Sequence, residues 1–406
     1  MGVSTIIDNL NTAQRNVSSS RVNATFYHGQ GVVATSDVAK KIIPYGKVAV
    51  LYSKEKYNKH GKDFATMLKG NGNSVTHVVL PDNFTDSIEN YSHLFNLAED
   101  IRLVVATDYK LFSCAKYFAS VRSIDCLLIV DNLNSYGLLQ DTVLITNGGY
   151  LERVKVSLNM HVLIDYDAIR LKPQDFADTY AFIVSHALAL TDYRIYLGLG
   201  QSKPNKTAFA LAIKSVTNTY QLLKHDKQER LDILLNDLMC LEIANANVNG
   251  KIYQNFACAT ASCLLNGDKT DKGKNRLLCA IPTARLYGLY LSGDYDKILE
   301  TPNYLESVDF ICENFCVSRQ KALDVINNQY STIKSNVKNI KKVKQLITND
   351  VNSFIDCCKN MLNTFIALGG NDQIDKRLRD RAIKHSGDLA FNCFTLVRES
   401  GIAEYI

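Results

Sequence analysis

Between residues 47 and 165 the chain alternates short runs of β-branched and aliphatic residues with segments of helical period. The runs KVAVLY (47–52), VTHVVL (75–80), RLVVA (102–106), CLLIV (126–130) and HVLID (161–165) predict strands. Their spacing predicts parallel strands joined by crossovers. Ile88, Tyr91, Leu94, Phe95 and Ala98 recur at helical spacing, which predicts an amphipathic helix covering one face of the sheet. The segment NATFYHGQGVVA (23–34) carries two apolar patches about Gly29-Gln30-Gly31 and predicts an added strand pair.

After Asp165 the period changes. FADTYAFIVSHALALTDYRIYLG (176–198), LDILLNDLMCLEIANANV (231–248) and VNSFIDCCKNMLNTFIALGG (351–370) predict long helices, the last closed by a glycine pair suited to a C-cap. Loops are expected at 200–207 and 266–275. The Lys-rich stretch 334–344, with Ile333, Val337 and Ile340 on one stripe, predicts a solvated helix face. The fold class expected is an α/β N-terminal Rossmann-like domain plus an all-α C-terminal domain. Its division is a polar segment at 1–25, the α/β domain at 26–168 and the helical domain at 169–406.

Composition narrows the classes. A chain of 406 residues, at roughly 100–200 residues per domain, holds two or three units. It is 46% hydrophobic and 21% charged with 6 Pro, which argues against extended disorder. Lys and Arg number 46 against 41 Asp and Glu, and +5 is too dilute for a dedicated nucleic-acid binder. No stretch reaches the roughly 18 apolar residues of a membrane helix, and a soluble, cytoplasmic protein is expected. Eleven cysteines without CxxC pairing read as reduced core thiols.

Three stretches carry a family resemblance. FYHGQGVVATSDVAKKIIPYGKVAVLYSKEKYNKHGKDFATMLKGNGNSVTHVVLP (26–81) resembles the opening strands and first βαβ unit of the dehydroquinate synthase-like superfamily. LVVATDYKLFSCAKYFASVRSIDCLLIV (103–130) resembles its cofactor-turn segment. IDKRLRDRAIKHSGDLAFNCFTLVRESGIAEYI (374–406) resembles the closing helix of its glycerol-1-phosphate dehydrogenase branch, with Asn392-Cys393-Phe394-Thr395-Leu396 at the ending. The superfamily includes iron-containing alcohol dehydrogenases and glycerol dehydrogenases, and the match spans roughly residues 26–405.

The resemblance implies NAD(P) in a cleft between two domains, its pyrophosphate against a Gly-x-Gly turn. Aligned on Lys116-Tyr117, that turn falls on Thr107, Asp108 and Tyr109, and the family's following Asp falls on Ser113. The family's Pro-Thr is Asp131-Asn132 here, and Ser135, Tyr136 and Gly137 match its Ser…Gly-Tyr loop. The resemblance also implies Fe²⁺ or Zn²⁺ held by one Asp and two His. The Asp is matched by Asp178, but no histidine occurs between His225 and His385; Cys258 or Cys263 and Cys279 fall near the vacated positions, and thiolates suit Zn²⁺.

His186 follows Asp178 by two helical turns, about 12 Å along the axis, and reads as a core or cleft histidine. His28 and His161 read as structural, Asp165 and Asp167 as a helix-capping hinge, and Arg377, Arg379 and Arg381 as an exposed salt-bridged helix. The expectation is a divergent, catalytically inactive homologue of metal-dependent NAD(P) polyol or glycerol-1-phosphate dehydrogenases. An active oxidoreductase with substitute metal ligands and a non-redox lyase or cyclase are the alternatives. Expected partners are a small molecule in the cleft or a protein, and further copies of the chain, with neither nucleic acid nor membrane.

Overall fold

The computed structural model describes residues 22–33, 43, 46–54, 57, 62–81, 83–133, 137–170, 175–198, 204–248, 252, 272–292, 304–315, 317–371 and 376–377. The chain divides into two compact units, Met1–Asp175 and Phe176–Ile406.

The first unit is built on a six-stranded sheet of β1 (Val22–Gly29), β2 (Lys47–Ser53), β3 (Ser74–Leu80), β4 (Ile101–Ala106), β5 (Asp125–Val130) and β8 (Leu158–Asp165). Every pairing in it is parallel, and the order across the sheet is β3-β2-β4-β5-β8-β1. The five strands expected from the apolar runs are all present. Residues 48–52, 103–106 and 126–130 are fully or almost fully buried, which explains why they read as continuous apolar runs. Val48, Val50, Leu103, Val105, Leu127 and Ile129 form one core with Phe64 and Leu68 of helix α1 (Lys62–Gly70). Helix α3 (Phe112–Arg122) packs on β4 and β5 and buries Cys114, Ala115, Phe118 and Ala119. Because the chain leaves β2 outward to β3 and then returns to β4, the strand order reverses between β2 and β4.

Two local expectations change. The segment after β1 does not return as a paired strand: residues 30–33 turn, with Gly31 at φ +58°, and β1 instead pairs with β8 along its full length. The helix expected over 88–98 is only α2 (Ile88–Ser92), capped by Ser87 and followed by a 3₁₀ turn over His93–Asn96. A hairpin not anticipated, β6 (Thr142–Asn147) and β7 (Tyr150–Lys155), closes through Gly148 and Gly149. Both glycines have positive φ (+54° and +83°), as a two-residue type I′ turn requires. Short helix α4 (Tyr166–Arg170) follows β8.

The second unit is helical throughout its described residues: α5 (Asp175–Gly198), α6 (Lys206–Tyr220), α7 (Lys227–Asn247), α8 (Lys272–Ser292), α9 (Tyr304–Phe315) and α10 (Arg319–Ala367). Helix α8 takes in residues 272–275, so the loop expected at 266–275 is shortened there. Tyr180, Phe182, Ile183, Val184, Leu188 and Tyr193 are buried around the circumference of α5, which marks it as the central helix of this unit. Helices α6 and α7 pack as a pair, and α10 contributes the stripe Ile347, Val351, Phe354, Met361 and Phe365. The glycine pair ends α10 as expected. Gly369 N–H donates to Ile366 O and Gly370 N–H to Phe365 O, a Schellman motif with Gly369 at φ +94°. The Lys-rich stretch lies on α10, but its side chains fall outside the described residues, as do Cys258, Cys263, Ser135, Tyr136, Arg379 and Arg381.

Candidate functional site

Open parallel sheets bind ligands at the carboxyl ends of their strands, where the strand order reverses. Here that edge carries Ser53 at the end of β2, Thr107 and Asp108 after β4, Asp131 and Asn132 after β5, and Asp165 at the end of β8. Thr107, Asp108, Asp131, Asn132 and Asp165 are all buried.

Asp108 occupies the reversal itself. It has extended backbone (φ −140°, ψ 135°) and caps a 3₁₀ turn over Tyr109–Leu111 that leads into α3. Lys110 N–H donates to its Oδ1 at 3.0 Å, and the Ser53 hydroxyl donates to its Oδ2 at 2.8 Å. Thr107 is tied to β2 twice, its N–H and its hydroxyl both donating to Leu51 O. Leu111 N–H donates to Asp108 O. Of the amides from Thr107 to Leu111, those of Thr107, Lys110 and Leu111 therefore already have acceptors within the chain. No residue of the turn has positive φ, so it forms no left-handed nest of amides.

Of the residues implied for dinucleotide binding, Thr107, Asp108, Tyr109, Ser113 and Asn132 are thus brought to one place, yet they do not fit a diphosphate. A unit negative charge brought to about 4 Å from the Asp108 carboxylate is repelled by ~1 kcal/mol in water and ~4 kcal/mol in a protein-surface environment. Asp131 accepts from Asn132 Nδ2 at 3.1 Å, and Ser113 is half-buried in the first turn of α3. A cavity of about 30 Å³ lined by Val33, Phe64, Thr107, Ile129, Asp131 and Asp165 opens at this edge. It has room for one or two waters.

Asp165 is the helix cap expected. Its Oδ1 accepts from Asp167 N–H and Ala168 N–H at the start of α4, and its Oδ2 accepts from Val33 N–H. His28 stands edge-on to Tyr166 and His161 lies beside Tyr27. Burial lowers the pKa of His161. One residue of the quoted motif has a role its sequence did not reveal. Lys116, buried on α3, donates from Nζ to the carbonyls of Gly137, Leu138 and Gln140 and so pins the loop after β5.

In the helical unit the implied metal residues do not converge. Lys274 N–H, at the start of α8, donates to Asp178 Oδ1 at 2.7 Å, so this carboxylate caps a neighbouring helix. The approach is close: a Cβ on Gly273 would lie 1.8 Å from Asp178 O. His186 is completely enclosed on α5. Arg276 Nη1 lies 3.1 Å from its Nε2 and Phe182 O lies 2.5 Å from its Nδ1. A guanidinium only donates, so Nε2 accepts and the proton sits on Nδ1. Burial, and then the Arg276 charge, push the imidazole pKa down to about 3. Arg276 also stacks over the Phe182 ring at 4.7 Å.

Cys279 is buried on α8 and forms no disulfide. Among the described residues, no group of three or more His, Cys, Asp or Glu side chains is placed to hold a metal ion. A divalent ion at His186 Nε2 would have to displace a hydrogen-bonded guanidinium and sit beside its charge. Among the described residues, Asp178, Cys279 and His186 are therefore not grouped to hold a metal. The pairing that prevents it, with Arg276 reaching His186 across 90 residues of sequence, left no signal in the chain's local pattern.

No protein-family model matches the sequence, and no curated protein matches it. Solved structures do match in fold. Glycerol dehydrogenase from Schizosaccharomyces pombe superimposes with a TM-score of 0.53 at 11% identity, covering 85% of this chain and 91% of its own. An iron-containing alcohol dehydrogenase from Thermococcus thioreducens gives 0.55 at 14%, covering 94% and 98%. Sulfoacetaldehyde reductase from Bifidobacterium kashiwanohense, in complex with NAD⁺, gives 0.57 at 12%, covering 95% and 97%. The chain has the fold of the iron-containing alcohol dehydrogenases, a Rossmann-like unit followed by a helical one, which is the architecture its sequence predicts. At these identities the likeness is one of fold. Among the described residues no helix is long and apolar enough to cross a membrane.

Proposed function

We propose that the chain is a divergent homologue of metal-dependent NAD(P) polyol dehydrogenases that keeps the scaffold and has lost the metal-assisted hydride transfer, acting instead by binding a small molecule or a protein partner. The observation that carries this reading is that Asp178, the implied donor on α5, accepts the Lys274 amide, and that His186, two turns further on, is engaged by the Arg276 guanidinium. A Lewis acid at this place would polarise the alcohol or carbonyl oxygen during hydride transfer, and the described donor set is not arranged to hold one.

The competing reading is an active oxidoreductase on glycerol phosphate or a related polyol, with Cys258 or Cys263 joining Asp178. The dehydrogenases among the fold neighbours favour it. Elemental analysis of purified protein for zinc and iron, after incubation with each metal and gel filtration, separates the two. The inactive reading expects well under one equivalent of either. Near-equimolar metal that is lost on substituting Asp178→Ala would overturn it.

A further inference from the structure

At the switch point of a doubly wound sheet a bound phosphate accepts the amides that open the next helix. In this chain a side chain takes such an amide and also ties the turn to the neighbouring strand. We infer that the Asp108 carboxylate is a built-in counterpart of the ligand phosphate, filling the anion subsite of the fold from within and tying the β2–β4 edge together without a nucleotide.

Oδ1 of Asp108 accepts the Lys110 amide on the helix side, and Oδ2 accepts the Ser53 hydroxyl on the β2 side, across 55 residues of sequence. An ordinary helix-capping aspartate accounts for the first bond and not for the second, which crosses the reversal in strand order. Thr107 reinforces the same junction through its two bonds to Leu51 O. Asp108 is only 6% exposed, so the carboxylate is part of the packed edge and not a surface charge that a ligand can push aside. The assignment stands whether or not the helical unit holds an ion.

Its consequence is that the anion is replaceable. Asp108→Gly removes the carboxylate and opens its space, leaving the Ser53 hydroxyl and the Lys110 amide without their acceptor. Asp108→Asn keeps the shape and removes the charge. Inorganic pyrophosphate, ADP and NAD⁺ are titrated into the full-length wild type and both variants by calorimetry and by thermal shift, with KCl at matched ionic strength as the control. The wild type is expected to bind none of the three below millimolar concentration. Asp108→Gly is expected to melt lower than wild type, to recover part of the difference in pyrophosphate or ADP, and to bind them at least tenfold more tightly than wild type. Asp108→Asn should fall between, and it carries the comparison by itself if the glycine variant does not fold. ADP binding much tighter than pyrophosphate would mean that the nucleoside also finds contacts; equal binding would confine the subsite to phosphate. Micromolar NAD⁺ or ADP binding by the wild type would overturn the inference, since the subsite would then be open. So would variants that bind no more tightly than wild type, or KCl reproducing the recovery.

Discussion

Asp237 offers a quantitative test of the helical unit. It lies buried on α7 against α6, where the Thr219 hydroxyl donates to its Oδ2 at 2.9 Å and Asn236 Nδ2 and Asn218 Nδ2 donate to its Oδ1 at 3.0 and 3.4 Å. All three donors are neutral. Burial therefore prevails over the hydrogen bonds and over the Lys214 charge, and raises the carboxyl from 3.8 to about 7. The folded pKa is above the unfolded one, so the contribution to stability is fully present below about pH 3.8 and is lost as pH rises through 7. Each pH unit in that window is worth about 1.4 kcal/mol, hence up to about 3 kcal/mol between pH 5 and pH 7. Asp237→Asn removes the titration and leaves only a pH-independent offset from altered hydrogen bonding. Hydrogen exchange of peptides from α6 and α7 reads this out. The wild-type-to-variant rate ratio at a common pH cancels the intrinsic exchange chemistry. That ratio should climb by about 30- to 100-fold from pH 5 to pH 7 and level off above it. A ratio constant across the range would refute the reasoning, because it would mean that Asp237 is ionised in the folded unit throughout.

Two further substitutions probe particular contacts. His186 has its folded pKa at about 3, below the ordinary 6.5, so it favours the folded state above pH 6.5 and stability is lost as pH falls toward 3. His186→Leu should remove about 2 kcal/mol of that loss in all when urea stabilities are compared at pH 7 and pH 5. An unchanged slope would show that the imidazole is not held neutral. Ser123, which ends α3 at φ +53°, is the one non-glycine residue with positive φ among the described residues. Ser123→Gly should raise stability in urea by about 1 kcal/mol by relieving the left-handed backbone, and a loss would contradict the cap.

The strands were legible because both faces of the sheet are covered. Val48 through Tyr52 are buried without interruption, and such a run has few other readings in a soluble chain. The hairpin at 142–155 was legible in principle, since Asn147-Gly148-Gly149 is a strong turn signal, but its flanking strands are partly exposed and their apolar pattern is weak. Val32 and Val33 suggested a second strand; Val32 is instead buried in the turn, and the Val33 amide serves Asp165. At the site, the replacement of a glycine turn by Thr107-Asp108-Tyr109 could be read directly. Ser53 and Arg276 could not, because each becomes meaningful only when a distant strand or helix is brought alongside.

The partners of Asp108, Asp178 and His186 have one physical logic. A buried polar group left without a partner costs about 1–3 kcal/mol, so a site that depends on a ligand makes the fold depend on it too. In this chain a carboxylate stands at the phosphate position, a backbone amide engages the implied metal carboxylate, and a guanidinium engages the nearby imidazole. Each group is answered by the chain itself. On this reading the folded state draws no stability from cofactor or metal. The same substitutions that close the two ligand positions are then what let the scaffold persist without them.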